Sequence, residues 1–253
     1  MVVGSRSRSR VRIPNHERPQ LNNQKAIAQL LNFIRERRYE SGERLPSERE
    51  FAEKFKTTRQ YVREALTALE AMRVVERRPS SGIFLRDLNS ESSFETLVLR
   101  ADSDLPLQKK EVMDSLETRR ILEVQAVELA CERRTDEDIS KLEKNLAETR
   151  TLLDRSESIE VADREFHQLI VLSSGNFVLV RLINAFYEMS QLRRKLFFSE
   201  QSRCKRSFAE HKKIFEAIKK AKPDVARNAM NAHLSETVKS WEKLLTDQGD
   251  KDT

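Results

Sequence analysis

Apolar side chains recur at helical spacing almost without interruption from residue 110 to residue 245, and no other feature constrains the fold as strongly. This period places the apolar residues of each segment on one face of a helix. The chain has only five Gly and six Pro, and 35% of its residues are charged. Such a composition favours long solvated helices over a sheet-rich fold, and we therefore expect a mainly α protein.

Three of the boundaries between the helical segments of this region are marked by particular residues. Thr135, the Gly175-Asn176 pair and Pro223 are residue types that typically mark helix ends. The predicted helices cover residues 110–134, 135–155, 158–174, 176–201, 205–221 and 223–245. Because their connections are short, the sequence predicts an antiparallel all-α bundle of six to seven helices over residues 110–246.

Residues 21–86 show a different order of elements. A first helix has an apolar face of Ile27, Leu30, Leu31 and Ile34. A second begins at the capping-box pair Ser47 and Glu50, and a third begins at Thr57 or Thr58. Val74 and Val75, a Pro-Ser-Ser-Gly turn and residues 83–85 then predict a two-stranded hairpin. Helices followed by a hairpin in this order indicate a winged helix-turn-helix.

The charge distribution supports a nucleic-acid-binding head. Residues 1–86 contain 19 Lys/Arg and 10 Asp/Glu, whereas the remainder contains 28 and 31. Recognition helices present side chains of their first turn to the major groove, and arginine there bonds guanine bidentately. We predict that double-stranded DNA is contacted from the second helix, the third helix and the wing by Arg49, Thr58, Arg59, Gln60, Tyr61, Arg63 and Gly82.

Three of the four histidines lie on the apolar faces of predicted bundle helices. Asp163 and His167 are four residues apart, His211 continues an apolar stripe, and His233 follows Met230 at helical spacing. Buried imidazoles and a buried carboxylate need partners, and a shared divalent ion would satisfy all four. Zinc or nickel suits this ligand set, copper and iron remain alternatives, and the sequence does not choose among them.

The rest of the chain defines its setting. Two cysteines, Cys131 and Cys204, are too few for a disulfide framework, and neither a signal peptide nor a membrane-spanning stretch is found, so we expect a cytoplasmic protein. Residues 1–20 and 247–253 are predicted to be disordered tails. Residues 87–109 are predicted to be a linker with room for one short helix.

The head resembles the DNA-binding domain of the GntR family of bacterial transcription regulators. The resemblance covers about 60 residues through "LPSER", Thr-Arg-x-x-Val-Arg-Glu-Ala-Leu and the Gly before the last strand. It implies operator contacts by Arg49, Thr58, Arg59, Arg63 and Gly82. Gln60 and Tyr61 depart from the family's usual small hydroxyl residues or proline, which leaves the operator sequence open.

The body resembles the FCD ligand-binding domain of the FadR-type branch of that family. In that domain an Asp-x-x-x-His helix, an "EH" helix and a "HL" helix supply metal ligands, and Asp163, His167, His211 and His233 match them. The resemblance implies a small organic acid effector bound at the metal and by an arginine of the first bundle helix. The alignment assigns that role to Arg119, although helical phase does not separate it from its neighbour Arg120. The alternative is that Arg119 only forms a surface ion pair with Glu123.

The leading hypothesis is therefore a homodimeric transcription regulator whose operator affinity responds to that acid. The resemblance to the family implies that it is a repressor. One alternative is a helical metalloenzyme with a fused nucleic-acid-binding head. Against it, no general base accompanies the metal set, because Glu165 projects to a different helix face. Another alternative is a regulator in which the metal is purely structural or is itself the signal.

Overall fold

The computed structural model describes residues 18–102 and 107–249 and divides the chain into two compact units, with the boundary between Ser93 and Phe94. The first contains α1 (Arg18–Glu36), β1 (Arg44–Leu45), α2 (Glu48–Lys54), α3 (Arg59–Ala71), β2 (Val75–Arg78) and β3 (Gly82–Leu85).

Side-chain caps set the starts of α2 and α3, as the sequence predicts. The Ser47 hydroxyl accepts a hydrogen bond from the Glu50 amide, and Glu50 Oε2 accepts one from the Ser47 amide, so both halves of the capping box are present. Between the two candidates for the start of α3, the structure selects Thr58, whose hydroxyl accepts from the Tyr61 amide. These caps orient the N-terminus of α3.

The wing is a three-stranded sheet in the order β1-β3-β2. The predicted hairpin is present, with Val75 opposite Leu85 and Arg78 opposite Gly82. The sequence analysis missed β1, in which Leu45 pairs with Ile83. A two-residue strand is too short to show the alternating period from which strands are predicted.

The second unit is a helical bundle with eight helices among the described residues. They are α4 (Phe94–Asp102), α5 (Lys109–Arg133), α6 (Asp136–Asp154), α7 (Glu160–Ser173), α8 (Phe177–Met189), α9 (Gln191–Phe197), α10 (Gln201–Lys219) and α11 (Pro223–Gly249). Helix α5 packs against α7, α8, α10 and α11, which makes it the central element. The mainly helical fold class is confirmed.

The three predicted boundaries coincide with helix ends. Thr135 caps α6 and accepts from the Asp138 amide, and Pro223 begins α11. Gly175 adopts a positive φ of 67° after α7, a conformation that glycine tolerates best. Asn176 then caps α8 by accepting from the amides of Val178 and Leu179.

Two predictions of element extent need correction. The single helix expected over residues 176–201 is interrupted at Ser190, whose buried hydroxyl donates to the Tyr187 carbonyl, and it forms α8 and α9. The region of residues 87–109, for which a linker with one short helix was expected, contains α4, whose Leu97 and Val98 pack on the bundle core. Helices α1 and α11 reach residues 18 and 249, inside the predicted tails, and the remaining tail residues lie outside the described ranges.

None of the described helices combines the length and the apolar character that a membrane-spanning helix needs.

Candidate functional site

The predicted metal ligands converge inside the bundle from three helices. Asp163 and His167 lie on α7, His211 on α10 and His233 on α11, and all four side chains are buried. Nε2 of His167 lies 3.2 Å from Nε2 of both His211 and His233. Nε2 of His211 lies 3.4 Å from Asp163 Oδ1, and one potential ligand atom from each residue lies within 4.8 Å of the others.

These distances fit a metal-binding site. Around a tetrahedral zinc ion, two nitrogen ligands about 2.0–2.1 Å from the metal are roughly 3.3 Å from each other. The rings are also held in place, because His211 stacks on Phe166 with centroids 4.1 Å apart and Ser207 donates a hydrogen bond to Asp163 Oδ1. The cluster could therefore hold a divalent ion without large rearrangement.

The outer nitrogens of two rings determine where their protons lie. His167 Nδ1 is 2.5 Å from Glu123 Oε2, and His233 Nδ1 is 2.6 Å from Glu210 Oε2. Carboxylates only accept hydrogen bonds, so each Nδ1 carries the proton and each Nε2 directs a lone pair into the cluster. Converging lone pairs in a buried site are costly unless a cation binds them.

Burial favours the neutral form of His211 and His233, which is the form that binds metal. Desolvation lowers the pKa of His211 well below the ordinary histidine value, and the neighbouring His233 and His167 act in the same direction. Desolvation also lowers the pKa of His233, although Glu210 opposes it. Metal ligands must be deprotonated, so the lowered pKa values of His211 and His233 favour metal binding.

Glu123 on α5 is a functional residue that the sequence analysis assigned only to a surface ion pair. It is fully buried, and it accepts hydrogen bonds from Arg119 Nε at 2.7 Å and from the Tyr187 hydroxyl at 3.1 Å. Although burial by itself favours the protonated acid, Arg119 and His167 hold the pKa of Glu123 far below its usual range. A buried carboxylate behind a ligand histidine orients the ring and raises its basicity.

The structure also separates Arg119 from Arg120. Arg119 is buried between Glu123 and Tyr187, and its Nη2 donates to the Tyr187 hydroxyl at 2.6 Å. Arg120 instead donates to Asn231 at an exposed position. Of the two candidates, only Arg119 lies beside the histidine cluster.

A cavity of about 20 Å³ adjoins the cluster. Asp163 and His233 form part of its wall, and Arg119, Arg193 and Arg194 add three guanidinium groups. Burial lowers the pKa of Arg193 to about 10, and burial together with the nearby charge of Arg119 lowers the pKa of Arg194 to about 9. Both groups remain cationic at neutral pH, so the cavity suits an anion. The sequence analysis missed this pair, although "LRRK" places two arginines inside an otherwise apolar segment.

In the first unit, the predicted DNA-contacting residues line one groove between α2, α3 and the wing. Arg49, Arg59, Arg63 and Gly82 all border it. Arg59 has no ion-pair partner among the described residues, whereas Arg63 Nε is 2.9 Å from Glu48 Oε2. The groove is rich in arginine, and arginine suits both phosphate and guanine recognition.

The remaining predicted contacts have local partners. Thr58 caps α3, and Gln60 Nε2 donates to Glu64 at 3.2 Å. Tyr61 follows on the first turn of the same helix and is half-buried. Gly82 has a φ of 126°, and a side chain there would place its Cβ 2.8 Å from Arg44 Nε. Glycine is thus required by the wing itself, whether or not DNA approaches it.

Comparisons with known proteins agree with this two-part architecture. The family model described as "Bacterial regulatory proteins, gntR family" matches residues 22–85, and the model of the FCD domain matches residues 114–236. The transcriptional regulator LutR of Bacillus subtilis is 32% identical over 199 residues, which cover 77% of this chain and 89% of that protein. The chain belongs to the GntR family.

Other relatives are similar over comparable lengths. The galactonate operon transcriptional repressor of Escherichia coli is 29% identical over 76% of this chain and 84% of that protein. A solved structure of Lar, which controls the expression of the Listeria monocytogenes agr system, superposes with a TM-score of 0.61 at 18% identity, over 87% of this chain and 97% of Lar. The likeness to Lar shows the shared fold.

Family membership states the function in outline. This GntR-family protein is a DNA-binding transcription regulator, and its FCD domain is the effector-binding part. Both domain models and the named relatives belong to transcription regulators. This argues against the alternative hypothesis of a helical metalloenzyme.

Proposed function

We propose that this protein represses transcription as a homodimer and releases its operator when a small organic acid binds beside a divalent metal. Zinc or nickel is the metal, and Asp163, His167, His211 and His233 are its ligands. The observation that carries the proposal is the convergence of three imidazole nitrogens and one carboxylate in the bundle core.

The acid is proposed because the cluster and the arginines share one cavity. Four protein ligands fill a tetrahedral zinc ion, so a carboxylate oxygen would bind by expanding the coordination of the ion beyond four. Arg119, Arg193 and Arg194 add positive charge to the same cavity. One relative is named for galactonate, itself an organic acid, and is called a repressor, which supports both the ligand class and the sign of the response.

Dimerisation is proposed from an exposed apolar surface on α8 and α9. Phe177 and Val178 are 70% and 67% exposed, and Leu182, Leu192 and Leu196 are also exposed. Val178 and Leu182, like Leu192 and Leu196, are one helical turn apart. Exposed apolar patches of this kind mark interaction surfaces, and a two-fold dimer would cover the patch with its own copy.

The DNA-binding part of the proposal rests on Arg59 and its neighbours in the groove. An operator duplex is first selected from a random pool. Arg59→Ala should then prefer this operator over random duplexes by about 1–3 kcal/mol less than the unmodified protein does, if Arg59 contacts guanine bidentately. Arg155→Ala is the matched control, because Arg155 is an exposed arginine of the bundle. Unchanged discrimination by Arg59→Ala would remove the recognition role of this residue.

The regulatory part is tested by titrating the selected operator with zinc-loaded protein in the presence of a panel of organic acids. An effective acid should weaken operator binding about 5- to 150-fold, the usual range of allosteric coupling. The His211→Ala/His233→Ala protein should retain no stoichiometric metal and should not respond. If it keeps one ion per chain, the proposed ligand set is wrong, and if no acid changes operator affinity, the proposed regulation is wrong.

A further inference from the structure

Two arginines of α9 lie at the cavity beside the histidine cluster without being metal ligands. Arg194 is buried, and Arg193 is half-buried. Both line the cavity together with Arg119. Arg119 already donates hydrogen bonds from Nε to Glu123 and from Nη2 to the Tyr187 hydroxyl. Their function is therefore separate from that of Arg119.

Several hydrogen-bond donors of the α9 pair have no acceptor. Among the described residues, Nη2 of Arg193 and both Nε and Nη1 of Arg194 are buried and lack hydrogen-bond partners. Arg194 contacts Glu160 on α7 as an ion pair, and its guanidinium lies over the Tyr187 ring at 4.9 Å. Buried donors without acceptors are rare in folded proteins and call for a ligand or another explanation.

The charges around the cavity also lack full compensation once a divalent ion is bound. Glu123 compensates Arg119 and Glu160 compensates Arg194. Asp163 offsets one of the two metal charges, which leaves one on the metal and one on Arg193. Glu210 lies behind His233 and is partly exposed, so solvent screens its charge.

We propose that the effector is a small dianion, a dicarboxylate, whose first carboxylate binds at the metal and whose second is bound by Arg193 and Arg194. This inference rests on the proposed acid-responsive metal site and specifies its ligand class. A cavity of about 20 Å³ holds little more than one water. The acid is therefore short, and the long arginine side chains move to admit it.

The test compares acids that differ only by a second carboxylate. Zinc-loaded full-length protein is titrated calorimetrically with malate and lactate, and with succinate and propionate. The dianion of each pair should bind about 10- to 100-fold more tightly, the effect of added hydrogen bonds between charged groups. Equal binding of both members of each pair would overturn the proposal.

A variant then assigns the preference to α9. Arg193→Gln should bring malate affinity close to the lactate affinity of the same variant, while zinc content stays unchanged. Arg193 is the first choice because no carboxylate loses its partner, whereas Arg194→Gln leaves Glu160 unpaired. Arg155→Gln, which changes an exposed arginine at the C-terminal end of α6, is the matched control and should keep the full preference. An undiminished preference for malate in Arg193→Gln would also overturn the proposal.

The outcomes separate this inference from the proposed function. Zinc-dependent binding of lactate and propionate without any preference for the dianion would leave an acid-responsive regulator and refute only the dicarboxylate. If none of the four acids bound, the dicarboxylate would be refuted. The proposed regulation would then be tested by the operator titrations with the wider panel of organic acids.

Discussion

At the scale of single residues, Glu123 is the group whose removal should affect the metal site most without changing a ligand. Glu123→Gln keeps the shape of the side chain but weakens the hydrogen bond to His167 and leaves Arg119 uncompensated. We expect zinc affinity to fall about 10- to 100-fold, as is typical when an outer-sphere partner of a ligand histidine is lost. Competition with a chromophoric chelator measures this change.

The matched control is Glu165→Gln, because Glu165 lies on the same helix as His167 and is exposed. It should leave zinc affinity unchanged. Equal losses in the two variants would show that the effect is one of general charge and not of the contact with His167.

The lowered pKa values of His211 and His233 predict that these two residues release fewer protons than ordinary histidines when zinc binds at pH 6.0. Two ordinary histidines, with a pKa near 6.5, would be mostly protonated at this pH and would together release about 1.5 protons. Since the folded protein holds both pKa values below 6.5, the two rings carry fewer protons at this pH than ordinary histidines do before the metal arrives. Calorimetric titrations in two buffers of different ionisation enthalpy give the number of protons, and a release of about 1.5 or more from these two residues would contradict the prediction.

The sequence predicted the four residues that cluster in the bundle but not the residues that support them, for a physical reason. Asp163, His167, His211 and His233 were found because each polar residue interrupts an otherwise apolar helix face. Glu123 stands four residues after Arg119, which is also the spacing of an ordinary surface ion pair. Only the packing of α5 in the centre of the bundle shows that this pair is buried.

At the scale of secondary-structure elements, the ion pair between Glu48 on α2 and Arg63 on α3 restrains the DNA-binding groove. Glu48 Oε2 lies 2.9 Å from Arg63 Nε, and its Oε1 lies 3.5 Å from Arg77 Nη2. Glu48→Gln would free Arg63, leave Arg77 paired with Glu70 alone, and remove a negative charge that opposes DNA phosphate. We expect the affinity for all DNA sequences to rise roughly two- to fivefold, the range of one exposed ion pair.

Salt titrations with specific and random duplexes test this prediction, and the dependence on salt should steepen by about one unit of slope. Glu36→Gln on α1 removes the same charge from an exposed position of the same unit and should change neither value. A gain confined to the specific duplex would instead point to a base contact by the freed Arg63.

Elements were predicted well where a cap or a long period marks them. The capping box at Ser47 and the boundaries at Thr135 and Pro223 are local signals, and each coincides with a helix end. The break at Ser190 escaped prediction because neither Gly nor Pro stands between α8 and α9 and the apolar period continues through it. That break places Arg193 and Arg194 at the cavity, so the missed boundary and the missed arginines have the same origin.

At the scale of the whole molecule, dimerisation should depend on the exposed apolar residues of α8. Val178→Glu/Leu182→Glu places two charges where we propose that a second copy packs. The variant should sediment as a monomer, and operator affinity should fall roughly 100-fold or more, because the two heads no longer bind as one bivalent unit. Val225→Glu on α11 changes another exposed apolar residue and should remain dimeric. A dimeric double variant would move the interface elsewhere.

The effector and the operator should influence each other equally, whatever motion connects the two units. If the acid favours the form that binds DNA weakly, then DNA favours the form that binds the acid weakly, and both affinities change by the same factor. We expect malate to weaken operator binding by about 5- to 150-fold, and saturating operator to weaken malate binding by that same factor. Calorimetry with and without operator, at constant ionic strength, measures the second value. An operator that left malate affinity unchanged would show that malate displaces DNA by another route, such as direct competition of its charge for the arginines of the groove. The Arg193→Gln protein separates the two routes, because direct competition would persist in it whereas coupling through the cavity would fall with the lost malate affinity.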